Sequence, residues 1–143
     1  MEVLKLHIQV KHCEKVESEQ GTVQMLSFDG RCDGDYFRGE ILPGGVDTQI
    51  CYKDQPPKLS ARYILQGKDY TGRECRIFIE NNGIMRTNET ITRPVIYTDS
   101  IALKWMETES MYGILTVAEG QPIITIYDDE SENNGERKKG SGT

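Results

Sequence analysis

The chain has little histidine, no C-x-x-C pair and no long apolar run, and each shortage removes a class of function. Its 143 residues hold two histidines, His7 and His12. They stand five apart, so on one strand they face opposite ways, and His12 and Cys13 diverge for the same reason. A zinc site would need ligands gathered from scattered Asp, Glu and Cys on other strands, so no metal is assigned. Cys13, Cys32, Cys51 and Cys75 are widely spaced and read as reduced thiols rather than a disulfide framework. Apolar runs stop after a few residues, as at Ile77-Phe78-Ile79, far short of a bilayer span. Met1-Glu2-Val3 leads into an alternating segment without a basic start or an apolar signal core, which points to a cytoplasmic protein.

Positive charge is also in short supply: 17 Lys and Arg face 23 Asp and Glu, for a net charge of -6. Such a domain repels phosphate backbones and anionic bilayers, so neither nucleic acid nor membrane is expected as a partner. No G-x-S-x-G elbow is present, and no serine or cysteine sits in a local nucleophile signature with a histidine. The glycine-rich Leu42-Pro43-Gly44-Gly45-Val46 joins two strand-like runs instead of opening a helix. It lacks the helix dipole that holds phosphate and reads as a tight turn. No cofactor is expected.

What is present is strand. Leu4, Leu6, Ile8 and Val10 alternate with Lys5, His7, Gln9 and Lys11, the period of a half-buried strand. Gly, Pro and Asn turns then separate runs rich in β-branched and aromatic residues: 22–28, 35–42, 46–52, 59–66, 74–80, 101–108, 112–118 and 123–127. That spacing describes an antiparallel sandwich or barrel. The segment 98–112 lacks Gly and Pro and opens on capping residues, but Ile101, Leu103 and Trp105 step by two, so it reads as a strand followed by a loop. At this length roughly 68% of the unfolded surface is buried, enough for one core without staples. Residues 1–127 form the expected domain. From Asp128 to Thr143 the chain turns acidic and polar, then basic, and reads as a mobile tail.

Charges set among apolar strand residues are the remaining candidates for chemistry. Asp47 and Gln49 share a face, Arg62 lies with Ser60 and Ile64, and Arg76 and Glu80 flank Phe78. If these faces line a barrel interior, Asp47, Arg62 and Glu80 form a polar cluster with shifted pKa values, suited to acid or base work. Alternation alone favours an outer, solvated face for all three, with Val46, Ile50, Ala61, Tyr63, Ile77 and Ile79 inside, because it normally puts charge in water. The seven tyrosines and the single tryptophan could clasp a flat ligand or simply fill strands.

The run Phe28-Asp29-Gly30, Phe37-Arg38-Gly39-Glu40-Ile41-Leu42-Pro43-Gly44-Gly45-Val46-Asp47 and then Leu59-Ser60-Ala61-Arg62-Tyr63 resembles a known family of small microbial proteins. It is catalogued as domain of unknown function three-two-three-seven, or uncharacterised protein family three-one-one. Trp105-Met106-Glu107-Thr108 and Tyr112-Gly113-Ile114-Leu115 are similar to the family's ending. The resemblance covers about residues 3–127. It implies an all-β fold, a single antiparallel lipocalin-like barrel of about eight to ten strands, often dimeric, with no general assigned activity. The family's aspartate after the double glycine falls on Asp47 and its arginine on Arg62, while Thr48 stands where many members carry tryptophan.

The expected function is binding of a small, partly apolar metabolite in the barrel mouth. Asp47 and Arg62 would turn inward as a couple to hold its polar end, and Tyr63, Tyr97 or Trp105 would contact its flat part. Two alternatives stand beside it. One is a cofactor-independent lyase, isomerase or hydrolase using Asp47 or Glu80 as acid or base. The other is an interaction protein, a homodimer paired through the strand edge at residues 2–11.

Overall fold

The computed structural model describes residues 1–87 and 89–129. Nine strands run through them: β1 (Glu2–Ser18), β2 (Gly21–Cys32), β3 (Phe37–Ile41), β4 (Val46–Tyr52), β5 (Lys58–Asp69), β6 (Glu74–Ile84), β7 (Thr90–Thr98), β8 (Met111–Ala118) and β9 (Gln121–Asp128). All pairings are antiparallel, and they close on themselves: β1 pairs with both β9 and β2. Strands β3 and β4 share one position between β2 and β5, each covering half of it. The result is an eight-position closed barrel built from nine strands. Closure removes the two free edges of an open sheet, although β1 beyond His7 and β7 beyond Thr92 each keep one side without a ladder among the described residues.

The break between β3 and β4 is the Pro43-Gly44 turn, with Gly44 at φ 109°. Its flanks stay tied to both neighbours, because Leu42 N donates to Ile64 O and Phe28 N to Gly45 O. Alternation then sets the core. Leu4, Leu6, Leu65, Ile77, Ile79 and Ile126 all point inward with no exposed surface. Each contributes about 1.5–3 kcal/mol of burial.

The expected strand at 101–108 is not formed. After β7 the chain makes turns and a short 3-10 helix, Lys104–Glu107. Leu103 and Met106, three apart, are its buried residues, and they plug one end of the barrel. The i, i+3 spacing is that of a 3-10 turn, where side chains three apart eclipse. Trp105 packs beside them, edge-on to Tyr36 at 5.1 Å, and Tyr36 meets Tyr70 at 6.1 Å. Conversely, β7 and the Asn81-Asn82-Gly83 part of β6 are strand where turn residues suggested breaks. Pro94 is tolerated because β7 pairs with β8 only over Thr90–Thr92, leaving its second side without a ladder farther along.

The chain at Asp128 is not yet tail: β9 ends there, buried, with its amide donating to Met1 O. Asp129 accepts a hydrogen bond from Arg93 at 3.1 Å. The expected mobile tail otherwise falls on 130–143, outside the described residues. All four cysteines are free thiols.

Candidate functional site

Register decides which charges enter the barrel. Asp47 lies opposite Ala61, and Arg62 lies opposite Val46. Because neighbours along a strand point to opposite faces, Asp47 goes inward with Ala61 and Tyr63, and Arg62 goes outward. The couple expected from the sequence is therefore not assembled. Arg62 instead meets Glu80, its register partner on β6, through Nε–Oε2 at 2.8 Å on the outer face. Glu80 also accepts from Asn82 Nδ2 at 3.1 Å. The other expected contacts separate as well. Tyr97 is 62% exposed on the outside, tilted against Phe78. Trp105 belongs to the plugged end. Of the five expected ligand contacts, only Asp47 and Tyr63 face the interior.

Asp47 lines a cavity of about 110 Å³ at the end opposite the plug. Its deep wall is apolar, with Ile8, Phe28, Leu59, Ala61 and Ile124, and its rim carries Val10, Leu26, Leu115 and Pro122. Among the described residues no lysine, arginine or histidine lines it. Gln49 reaches Asp47 Oδ2 through Nε2 at 2.9 Å, and Gln24 Nε2 in turn donates to Gln49 Oε1 at 2.7 Å. Asp47 Oδ1 has no hydrogen-bond partner within the protein. Burial raises the Asp47 pKa above its ordinary 3.8, with Gln49 and the Ser60 backbone offsetting part of the effect.

Three more buried polar side chains bear on the site: Thr92 in the cavity lining, and Asn81 and Tyr63 outside it; of these, sequence singled out Tyr63 alone. Thr92 lines the cavity and is 1% exposed, yet its hydroxyl has no protein partner. Asn81 is fully buried with both amide atoms unpartnered. Tyr63 packs edge-on against Phe28 at 5.4 Å, and its buried hydroxyl likewise lacks a partner. Gly113 holds the space between two of these. A methyl there would stand 2.3 Å from Thr92 Oγ1 and 3.7 Å from Asn81 Nδ2. The available signal was Asn81 in the inward phase of β6, after Ile77 and Ile79, where the eye reads a turn. Among the described residues no group of three or more His, Cys, Asp or Glu is placed to hold a metal ion. Nor is any helix long and apolar enough to cross a membrane.

The fold and site define a closed antiparallel barrel, plugged at one end, with a small acid-bearing chamber at the other. The chain belongs to the family described as Protein of unknown function (DUF3237), whose model matches residues 2–95. A UPF0311 protein of Clostridium acetobutylicum is 46% identical over 55 residues, a stretch that is 38% of this chain and 32% of that relative's length. The crystal structure of a protein with unknown function from the same species superposes with a TM-score of 0.76 at 26% identity, covering 90% of this chain and 96% of that one. An enzyme from Penicillium herquei shares the fold at a TM-score of 0.69 and 11% identity, over 89% of this chain and 92% of its own.

Proposed function

We propose that the protein binds a small, partly apolar molecule in the unplugged end of the barrel, with Asp47 as the polar contact. The observation that carries this is one carboxylate with an unpartnered oxygen set into a concave wall made mostly of apolar side chains. A cavity of about 110 Å³ takes only a compact group. A larger ligand would leave its remainder against Val10, Leu26, Leu115 and Pro122 at the rim. Ala61 is the wall residue that keeps the space open between Asp47 on one neighbouring strand and Asn81 on the other.

The test is a fragment screen by two-dimensional amide NMR with molecules of roughly five to nine heavy atoms, the size at which millimolar binding is expected. Shifts should cluster at Asp47, Ala61, Thr92 and Ile124, and Ala61→Leu should abolish them while leaving the rest of the spectrum folded. Shifts scattered over the outer face, or unchanged in Ala61→Leu, would reject the reading. Quenching of Trp105 is not a suitable readout, because that ring sits at the plugged end.

A second reading is acid or base catalysis at the same carboxyl, favoured by its raised pKa and in keeping with a fold that serves an enzyme elsewhere. It predicts turnover of a bound molecule that is lost in Asp47→Asn while binding is retained.

A further inference from the structure

The chamber's polar groups say more about its ligand than its size does. Four buried side chains have atoms with no protein partner: Asp47 Oδ1 and Thr92 Oγ1 in the chamber lining, and, outside that lining, Tyr63 OH and both amide atoms of Asn81. A buried polar group left unpaired is expensive, and a fold does not gather several in one place without something to meet them. The register explains how they converge. Asp47 and Asn81 are inward neighbours of Ala61 on either side, about 10 Å apart across two strand spacings, with only a methyl between them. Thr92 and Asn81 share the niche left by Gly113. The set supplies amide donors, hydroxyls that donate or accept, and acceptor oxygens.

The same set lacks a cation. Arg62, the arginine expected beside Asp47, is on the outer face with Glu80. Among the described residues, the one acidic or basic side chain lining the cavity is Asp47, an acid. A carboxylate or phosphate placed there would lose its water, gain no counter-charge and face Asp47.

Resting on the binding reading above, we propose that the chamber selects an uncharged head carrying both a hydrogen-bond donor and an acceptor, of which a carboxamide is the simplest, and rejects carboxylate and phosphate heads. Asn81 and Thr92 meet the head, and the apolar wall meets the chain attached to it.

The experiment compares isobutyramide with its isostere isobutyrate near pH 7, each titrated into the full chain and followed by amide NMR, including the Asn81 side-chain NH₂. Isobutyramide should bind at least about tenfold more tightly, shifting the Asn81 side chain, a gap of about 1.4 kcal/mol. Asp47→Asn should narrow that ratio, and Thr92→Val, which keeps shape and removes the hydroxyl, should weaken the amide severalfold. Equal affinities, or a preference for isobutyrate, would overturn the selection for a neutral head while leaving the chamber a binding site. If neither compound moves the interior but the fragment screen does, the proposal also fails and the binding reading survives. Silence in both experiments removes the two together.

Discussion

Asp47 is an acid held against apolar walls, and that placement fixes the sign of its effect on stability. Burial raises its folded-state pKa above 3.8, the value it keeps when unfolded. Between those two values the folded chain binds more protons than the unfolded one, so stability falls as pH rises through the window. Above it, the ionised carboxylate remains a constant penalty. Asp47→Asn is therefore expected to raise Tm near pH 7, and its advantage should fade as the pH is lowered toward 3.8, where the wild-type acid becomes neutral. Thermal unfolding of both proteins across that range checks it. A variant that is less stable at pH 7 would mean that the carboxylate is paired more strongly than its geometry indicates. Asp69, at the other end, has the opposite sign. Burial pushes its pKa up, but hydrogen bonds from Thr71, Ser100 and the Arg73 amide outweigh that and lower it. Its contribution is present above the unfolded value and lost as pH falls through the lower folded one.

Between elements, the tightest constraint is where β3 meets β5. Gly39 and Gly67 are register partners, and a methyl on Gly67 would stand 2.0 Å from Arg38 O and 2.5 Å from Gly39 Cα. Both obstacles are backbone and cannot swing aside. Gly67→Ala should cost about 3 kcal/mol, the upper end for overpacking, and lower Tm by roughly 10 °C. Denaturant unfolding measures this directly, and a loss under about 1 kcal/mol would show that β3 can slide. Such a contact is invisible in sequence, where Gly39 and Gly67 look like ordinary turn residues. Strand existence was legible, and β4 emerges with the bounds its composition suggests, Val46–Tyr52. Facing was legible only in part. In β5 and β6 the plain alternation holds, with Ala61, Tyr63, Ile77 and Ile79 inside and Arg62 and Glu80 outside. In β4 it inverts: Asp47 and Gln49 take the inner face, where both line the chamber. One strand's pattern gives two faces but not which is in, and a neighbour's register is needed to choose. The plug was misread for a related reason. Three apolar residues at a step of two suggest a strand, but only Leu103 is fully buried while Ile101 is 82% exposed.

At the scale of the whole molecule the two ends of the barrel are built differently. The plugged end holds Val3, Leu4, Phe37, Leu65, Ile77, Leu103 and Ile126, all at or near zero exposure. At the chamber end β1 leaves β9 after His7 and continues to Ser18 with β2 as its one partner among the described residues, its residues from Gln9 onward exposed. Strands held from one side open locally with far less free energy than the core. Amide hydrogen exchange is therefore expected to be fast along the one-sided part of β1, residues 9–18, while Leu4, Leu6, Ile77 and Ile79 exchange only through global unfolding. The difference should span most of the unfolding free energy, on the order of 5 kcal/mol or more. Uniform protection along β1 would mean that its outer edge is covered in solution, as pairing with a second copy would do. The gradient also bears on function: Val10, at the rim of the chamber, lies on the arm that opens most easily. On the proposed binding reading, molecules bulkier than the resting 110 Å³ would enter by displacing the β1–β2 arm, without disturbing the plugged end.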